Sequence, residues 1–340
     1  MSTKESVLAL LTQNLNKPVS GEKLASECGV SRAAIWKTIQ VLRETGFSIE
    51  GTTNGGYVLT DDADILNECI IKEYLNQIEK KISGYKIKCF NQLDSTSTYA
   101  KKLLTGPTNS ANLHKTVIIA ESQTAGRGRL GRSFYSSAKK GLYLSVIYVP
   151  EKQITDPAKI TAIAAVAACR VIKKVYKVNP KIKWINDLYL NQKKFVGILT
   201  EGVMNFETGT IDAAVIGIGV NIKQSYSDVP KELENKFGCI QEASESREKV
   251  NNISRNFFAA ELIHELFDIF DEDTNALMAE YKKESFLIGT KITVHPVIGE
   301  DISAYEAEVL DIDEDAGLVV KLSDGTTKIL RSGEVSLHQD

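Results

Sequence analysis

The chain of 340 residues is short of the residue types that cross-link a fold or hold a soft metal: it has five cysteines and four histidines. Cys28, Cys69, Cys89, Cys169 and Cys239 are odd in number and widely spaced. They form no C-x-x-C pair and no zinc-like spacing with His114, His264, His295 or His338, which excludes a disulfide framework and a structural zinc site. Reduced, packing cysteines of a cytosolic protein are expected instead. Long apolar runs are also missing. Ile160 to Cys169 is closed by Arg170 and is too short to span a bilayer. The start, Met1 to Leu11, mixes Lys4 and Glu5 with a short apolar run, so no signal peptide and a cytoplasmic location without a membrane role are expected. No G-x-x-x-x-G-K-[ST] string occurs, which excludes a P-loop. Neither a Ser/His/Asp nor a Cys/His constellation is visible, so no covalent enzyme intermediate is expected.

What is present is an ordinary globular balance, 43% hydrophobic and 25% charged. The length exceeds what one core supports, so two or three domains are expected. The net charge of −3 decides nothing about nucleic acid, because binding depends on clustered cations.

Residues 1–62 predict helix, helix, turn, helix and a short hairpin. Val7, Leu8, Leu10 and Leu11 give the first helix an apolar face. Ser20 caps a second helix, Gly21 to Cys28, and Gly29 permits the turn. Ser31 caps a third, Arg32 to about Glu44, with Ala34, Ile35, Ile39 and Leu42 inward. Arg32, Ala33, Trp36, Lys37 and Gln40 then lie outward. Thr53-Asn54-Gly55-Gly56 is a hairpin turn between apolar runs. Up to residue 60 this segment holds six basic residues against five acidic ones, a weak excess for a DNA-binding surface. Residues 63–83 read as a connecting helix. Residues 84–286 mix strands (Thr116 to Ala120, Leu142 to Tyr148, Ala213 to Val220) with helices (Ala158 to Val175, and one from Phe257 to about Lys283), an α+β pattern. Residues 287–340 read as five short strands separated by turns, a small β-barrel.

Gln123-Thr-Ala-Gly-Arg-Gly-Arg-Leu-Gly-Arg132 follows a probable strand. Gly126, Gly128 and Gly131 satisfy G-x-G-x-x-G, yet the residues after Arg132 have no apolar helical face for the helix that such a turn opens. What remains is a glycine-hinged loop presenting Arg127, Arg129 and Arg132, whose mutual repulsion calls for an anion among them. Lys183-Trp-Ile-Asn-Asp187, Lys194-Phe-Val-Gly197 and Gly217-Ile-Gly-Val-Asn221 place further polar groups at strand ends.

Together with Asp94-Ser-Thr-Ser97, these strings resemble the biotin protein ligases. Ser31-Arg-Ala-Ala-Ile-Trp-Lys37 and Val19 to Ala25 resemble the winged helix of the bifunctional subgroup that also represses the biotin operon. The resemblance spans essentially the whole chain. It implies an α+β chain with an N-terminal winged helix-turn-helix, a central mixed α/β catalytic domain of the biotin/lipoate ligase type and a C-terminal SH3-like β-barrel. The implied activity forms biotinyl-5′-AMP from biotin and ATP with Mg²⁺, then transfers biotin to a lysine of a biotin carboxyl carrier protein. A homodimer formed on adenylate binding and operator DNA are the other implied partners.

By the same resemblance, Ser95, Thr96, Ser97 and Gln123 border the ureido end of biotin. The family usually carries a different polar residue at position 97. Gly126, Arg127, Gly128, Arg129, Lys194 and Gly197 complete the biotin site, with Arg127 and Arg129 on the carboxylate and α-phosphate and Lys194 polarising both. Arg129, Arg132, Phe134, Lys183, Asn186, Gly217, Gly219 and Asn221 serve the nucleotide, Phe134 stacking near adenine. Asp187 orients the incoming lysine or a Mg²⁺ water. Ser31, Arg32, Ala33, Trp36, Lys37, Gln40, Thr53 and Asn54 would meet DNA. Two other readings stay open: a ligase whose winged helix has no DNA role, and a lipoate-type acyl ligase of the same fold.

Overall fold

Serine caps delimit the first three helices. In the computed structural model Ser2 and Glu5 form a capping box on α1 (Thr3–Gln13), while Ser20 caps α2 (Gly21–Cys28) and Ser31 caps α3 (Arg32–Glu44). Gly29 ends α2 at φ 64°, the left-handed conformation that favours glycine. Val7, Leu11, Leu24, Ile35, Ile39 and Leu42 form a core closed by the hairpin β1 (Ser48–Thr52) and β2 (Gly56–Thr60), paired antiparallel with Ser48 opposite Thr60. The structure describes residues 2–52, 55–78, 84–151, 156–204, 209–223, 229–234, 236–295 and 303–337. Thr53 and Asn54, the expected hairpin tip, lie outside the described residues.

The connecting helix is α4 (Glu68–Ile78), which packs against α1 and, on its other side, against α9 (Arg255–Asp268) of the central part. Its apolar residues divide accordingly. Ile70 joins the N-terminal core, whereas Ile71 and Leu75 join the central one.

A seven-stranded sheet organises the central part, in the order β3 (Lys86–Phe90), β4 (Thr116–Ala120), β5 (Gly141–Tyr148), β9 (Ile211–Asn221), β8 (Lys193–Met204), β7 (Asp187–Leu190), β6 (Lys181–Lys183). Only the β3–β4 pair is parallel. Alternation sorts the side chains: Val117 and Ile119 face a core shared with α6 (Pro157–Tyr176) and α9. Ile118 and Ile147 face Ala100 on α5 (Thr96–Leu104). With both faces covered, β4 and β5 are buried at every position.

The single helix expected from Phe257 to Lys283 is two. α9 ends at Asp268, a 3₁₀ turn over Ile269–Asp271 follows, and Asp273 caps α10 (Thr274–Glu284) by accepting from Ala276 N at 3.0 Å. The apolar period runs on across this break, so only the cap marks it. A short α7 (Ile240–Ala243) and α8 (Arg247–Asn251) precede them.

The C-terminal strands β10 (Lys291–His295), β11 (Tyr305–Ile312), β12 (Leu318–Leu322), β13 (Thr327–Leu330) and β14 (Glu334–Leu337) form an antiparallel sheet ordered β13-β12-β11-β10-β14. Its inner face, with Ile292, Val309 and Leu318, continues the central core. The Trp184 indole donates to Ala316 O at 2.8 Å across the junction, so this sheet is held against the strands that carry the site.

Candidate active site

After β4 the chain leaves the sheet and returns as β5, and the intervening residues 121–140 include the arginine loop. Phe134 N donates to Gly126 O at 2.8 Å and Gly128 N to Arg132 O at 2.7 Å, closing the loop on itself. A Cβ at Gly126 would lie 2.4 Å from Phe134 O, so only glycine permits that closure. Gly131 takes φ 74°. The helix required by a dinucleotide-binding turn does not form; only a 3₁₀ turn covers Arg129–Gly131.

This loop, the N-terminus of α5, the β6–β7 turn, β8 and β9 surround one cavity. Ser95, Thr96, Ser97 and Gln123 stand at one side, and Arg127, Gly128, Arg129, Arg132 and Phe134 come from the loop. Lys183, Asn186, Asp187, Lys194, Gly197, Gly217 and Gly219 line the remainder. Two of the expected residues stand off from it. Gly126 serves loop closure, and the buried Asn221 turns its amide to Gly238 O at 3.3 Å.

Electrostatics divide the cavity. The α5 side is neutral and hydroxyl-rich. Ser95 caps α5 through Thr98 N, and Gln123 Oε1 accepts from Thr96 N at 2.8 Å. The rest of the lining carries five cations, Arg127, Arg129, Arg132, Lys183 and Lys194. Lys194 Nζ lies 2.7 Å from Asp187 Oδ1, an oxygen that is buried and has no aligned hydrogen-bond donor. Arg129 donates to Asn186 Oδ1 at 3.2 Å, and Asn186 in turn is fixed by donating to Ile198 O at 2.9 Å. Burial pulls both Arg129 and Lys183 below their ordinary basicity, against the opposing pull of Asp187 and Glu334. A group that strengthens these cations, an anion, is therefore favoured there.

The mutual repulsion of the arginines is relieved inside the chain. Arg127 pairs with Glu201 on β8, which also holds Lys101 at 3.0 Å, and Arg132 pairs with Glu334 on β14. These acidic partners were not singled out in the sequence. Glu201 shares the strand face of Gly197 and Leu199, so period-two spacing along β8 carries the signal. Glu334 opens β14, and nothing local in its sequence shows that it borders the cavity, as Gly333, Glu334 and Val335 do.

Phe134 lies flat against glycine backbone. A Cβ at Gly219 would be 2.4 Å from its ring and one at Gly197 3.0 Å, so the ring's seat exists only because these two strand positions lack side chains.

On the first domain Ser31, Arg32, Ala33, Trp36 and Lys37 are exposed along α3 and Gln40 is half-buried. Trp36 is 56% exposed, unusual for the largest side chain and consistent with a contact surface.

Comparison with known proteins covers both parts. Residues 89–221 match the Biotin/lipoate A/B protein ligase family and residues 3–58 match an HTH domain family. The chain is 32% identical over 325 residues to the bifunctional ligase/repressor BirA of Escherichia coli, covering 94% of this chain and 92% of that protein. It is 29% identical over 327 residues to the Bacillus subtilis protein of the same name, covering 96% of each. In fold it is similar to the biotin protein ligase from Aquifex aeolicus, at 21% identity with a TM-score of 0.57 over 75% of this chain and 99% of that one. With identity of this level along both the helix-turn-helix and the ligase portions, the chain belongs to the bifunctional biotin ligase/repressor family.

Proposed function

We propose that this chain joins biotin to ATP as biotinyl-5′-AMP, transfers biotin to a lysine of the biotin carboxyl carrier protein of acetyl-CoA carboxylase, and represses biotin synthesis and transport genes in response to biotin. The observation that carries the enzymatic reading is the convergence of Arg127, Arg129, Arg132, Lys183 and Lys194 on one cavity whose α5 end is lined by the neutral, hydrogen-bonding Ser95, Thr96, Ser97 and Gln123. A ligand with an uncharged polar head and a carboxylate tail, set beside a nucleotide phosphate, matches that division. The solved Aquifex relative holds biotin and ATP.

The chemistry follows from the charges. A carboxylate must attack the α-phosphorus of ATP with pyrophosphate leaving, and two anions must be brought together in line. Arg129 and Lys194 neutralise both partners and the charge that builds on the phosphoryl oxygens. The mixed anhydride then meets the Nζ of the acceptor lysine, the new amide forms at the carbonyl carbon, and AMP leaves. Asp187 is the carboxylate placed to orient that amine. Closure of the loop at residues 121–140 excludes water, which would otherwise hydrolyse the anhydride.

Mg²⁺ arrives with ATP. A single carboxylate, Asp187, whose buried Oδ1 already pairs with Lys194 Nζ, would hold a hydrated ion through water with the phosphates as its main ligands, and that ion would neutralise the leaving pyrophosphate. Adenylate binding orders the loop, favours a homodimer and brings two α3 helices to operator half-sites.

ATP–pyrophosphate exchange tests the enzyme. Exchange is expected with biotin and not with lipoate, and Lys194→Ala is expected to lower it by roughly a hundredfold or more without loss of fold. Equal exchange with lipoate defeats the biotin assignment, and exchange with neither acid defeats the ligase. Footprinting with and without biotin and ATP tests the repressor; equal protection in both removes the switch.

A further inference from the structure

Ser145 lies at the centre of β5 with no solvent exposure, an uncommon place for a hydroxyl in a strand buried at every position. Its Oγ lies 2.8 Å from Thr96 Oγ1 and 3.0 Å from Ser97 Oγ. Thr96 and Ser97 both line the cavity, whereas Ser145 stands behind them. The three hydroxyls connect to Gln123, which ties them to the loop.

The hydrogen bonds in this chain can be oriented from its one fixed end. Thr96 N can only donate, so the Gln123 atom 2.8 Å from it is the carbonyl oxygen Oε1. Gln123 Nε2 accordingly donates to Ser136 Oγ at 2.8 Å, and the Ser136 proton goes to Phe134 O at 3.1 Å. Thr96 Oγ1 lies 3.2 Å from Gln123 Oε1, which cannot donate, and 2.8 Å from Ser145 Oγ, which can; a Thr96 proton directed at Gln123 keeps the first pair of oxygens from meeting lone pair to lone pair and is the favoured arrangement. With the Thr96 proton so directed, Ser145 donates to Thr96 and, having one proton, accepts from Ser97. Ser97 Oγ is left with lone pairs and no proton to offer.

We propose that Ser145 is a positioning residue that fixes Ser97 Oγ as a hydrogen-bond acceptor, so that this end of the cavity selects a ligand presenting an N–H there. The proposal rests on the biotin reading above and sharpens it, because the head of biotin is a cyclic urea with two ring N–H groups. The neighbouring wall supports close approach: a Cβ at Gly217 would lie 2.5 Å from Ser97 Oγ and 3.4 Å from Ser145 Oγ, so bare backbone leaves the hydroxyl open. An acyl chain ending in a dithiolane offers no donor and leaves Ser97 unpaired, which penalises it.

The test compares biotin with two analogues, each having one ring N–H replaced by oxygen, by calorimetric titration of the full chain. In the wild type the analogue missing the N–H read by Ser97 is expected to bind about tenfold more weakly than biotin or worse. Ser97→Ala and Ser145→Ala are each expected to shrink that ratio to about threefold or less, Ser145→Ala because Ser97 regains a free proton. Ser145→Cys, which keeps the volume with a weaker donor, is expected to fall between, and it carries the test if Ser145→Ala does not fold. Both analogues binding the wild type as tightly as biotin overturns the proposal, as does an unchanged ratio in the folded Ser145 variants. Failure of the wild type to bind biotin at all is a different result, which overturns the function reading and this proposal with it.

Discussion

Arg255 and Asp64 are joined by three hydrogen bonds: Arg255 N to Oδ1 at 2.7 Å, Nε to Oδ2 at 2.9 Å and Nη2 to the Asp64 carbonyl at 2.6 Å. The same guanidinium, with no solvent exposure, reaches Glu121 at 2.6 Å and Gly141 O at 3.1 Å. It thus ties the segment after the hairpin to both ends of the section that bears the arginine loop.

A buried cation shared by two carboxylates is costly to remove, because its partners are left charged and unpaired. Arg255→Met is expected to destabilise the chain by about 3–5 kcal/mol, read as a lower urea midpoint. Arg255→Lys keeps the charge but cannot span the fork, and is expected to recover less than half of the loss. A midpoint unchanged in the Met variant would contradict the clamp.

Asp61, beside this clamp, gives the interdomain contact a pH dependence. Burial raises its carboxyl from 3.8 to about 6, even though Ser254 and Asn256 hydrogen-bond to it. A raised acid binds its proton more tightly when folded, so it contributes stability below the unfolded value and loses it as pH climbs from about 4 to about 6. Above that window the buried charge costs on the order of 2–3 kcal/mol. Thermal unfolding between pH 4 and 7 is expected to show the decline, and Asp61→Asn to flatten it; an equal slope in the variant would locate the titration elsewhere.

Gly217 and Gly219 provide a test of the two ends of the cavity. A methyl at 217 meets Ser97 Oγ at 2.5 Å, and one at 219 meets the Phe134 ring at 2.4 Å. Gly217→Ala is therefore expected to weaken biotin binding about tenfold with little effect on ATP, and Gly219→Ala to displace the ring and weaken ATP more than biotin. Titrations with each ligand alone separate the cases. Identical losses for both ligands in both variants would mean that the two glycines serve the sheet and not its occupants.

Much of this organisation was legible in the residues, for definable reasons. Helix ends were readable where a side chain caps them, as at Ser20 and Ser31, and the C-terminal strands were readable because turns at Gly317 and Gly325 separate short alternating runs. The arginine loop declared itself through its glycines. What escaped was non-local. The break at Ile269–Asp271 lies inside a continuing apolar period, Ser145 looks like one polar residue in an apolar strand, and Glu334 and Glu201 find their arginines only when distant segments meet. Arg255 reads as a helix-surface residue until Asp64 and Glu121 close on it.

The α3 surface carries the last prediction. Ser31 caps the helix by accepting from Ala34 N at 3.2 Å, and the positive dipole end of α3 lies beside Arg32, a favourable setting for phosphate. Lys37 lies on the same exposed face, and Trp36 offers an apolar edge suited to a thymine methyl in the major groove. Arg32→Ala and Lys37→Ala are each expected to reduce the slope of log affinity against log salt by about one per half-site. Trp36→Ala is expected to weaken operator binding more than binding to unrelated DNA. Because these side chains are exposed, each variant is expected to keep its stability within about 0.5 kcal/mol and its full biotin-dependent pyrophosphate exchange. An unaltered salt slope in both charge variants would move the DNA contact off α3, and a matching loss of exchange would show that the substitutions act through the fold.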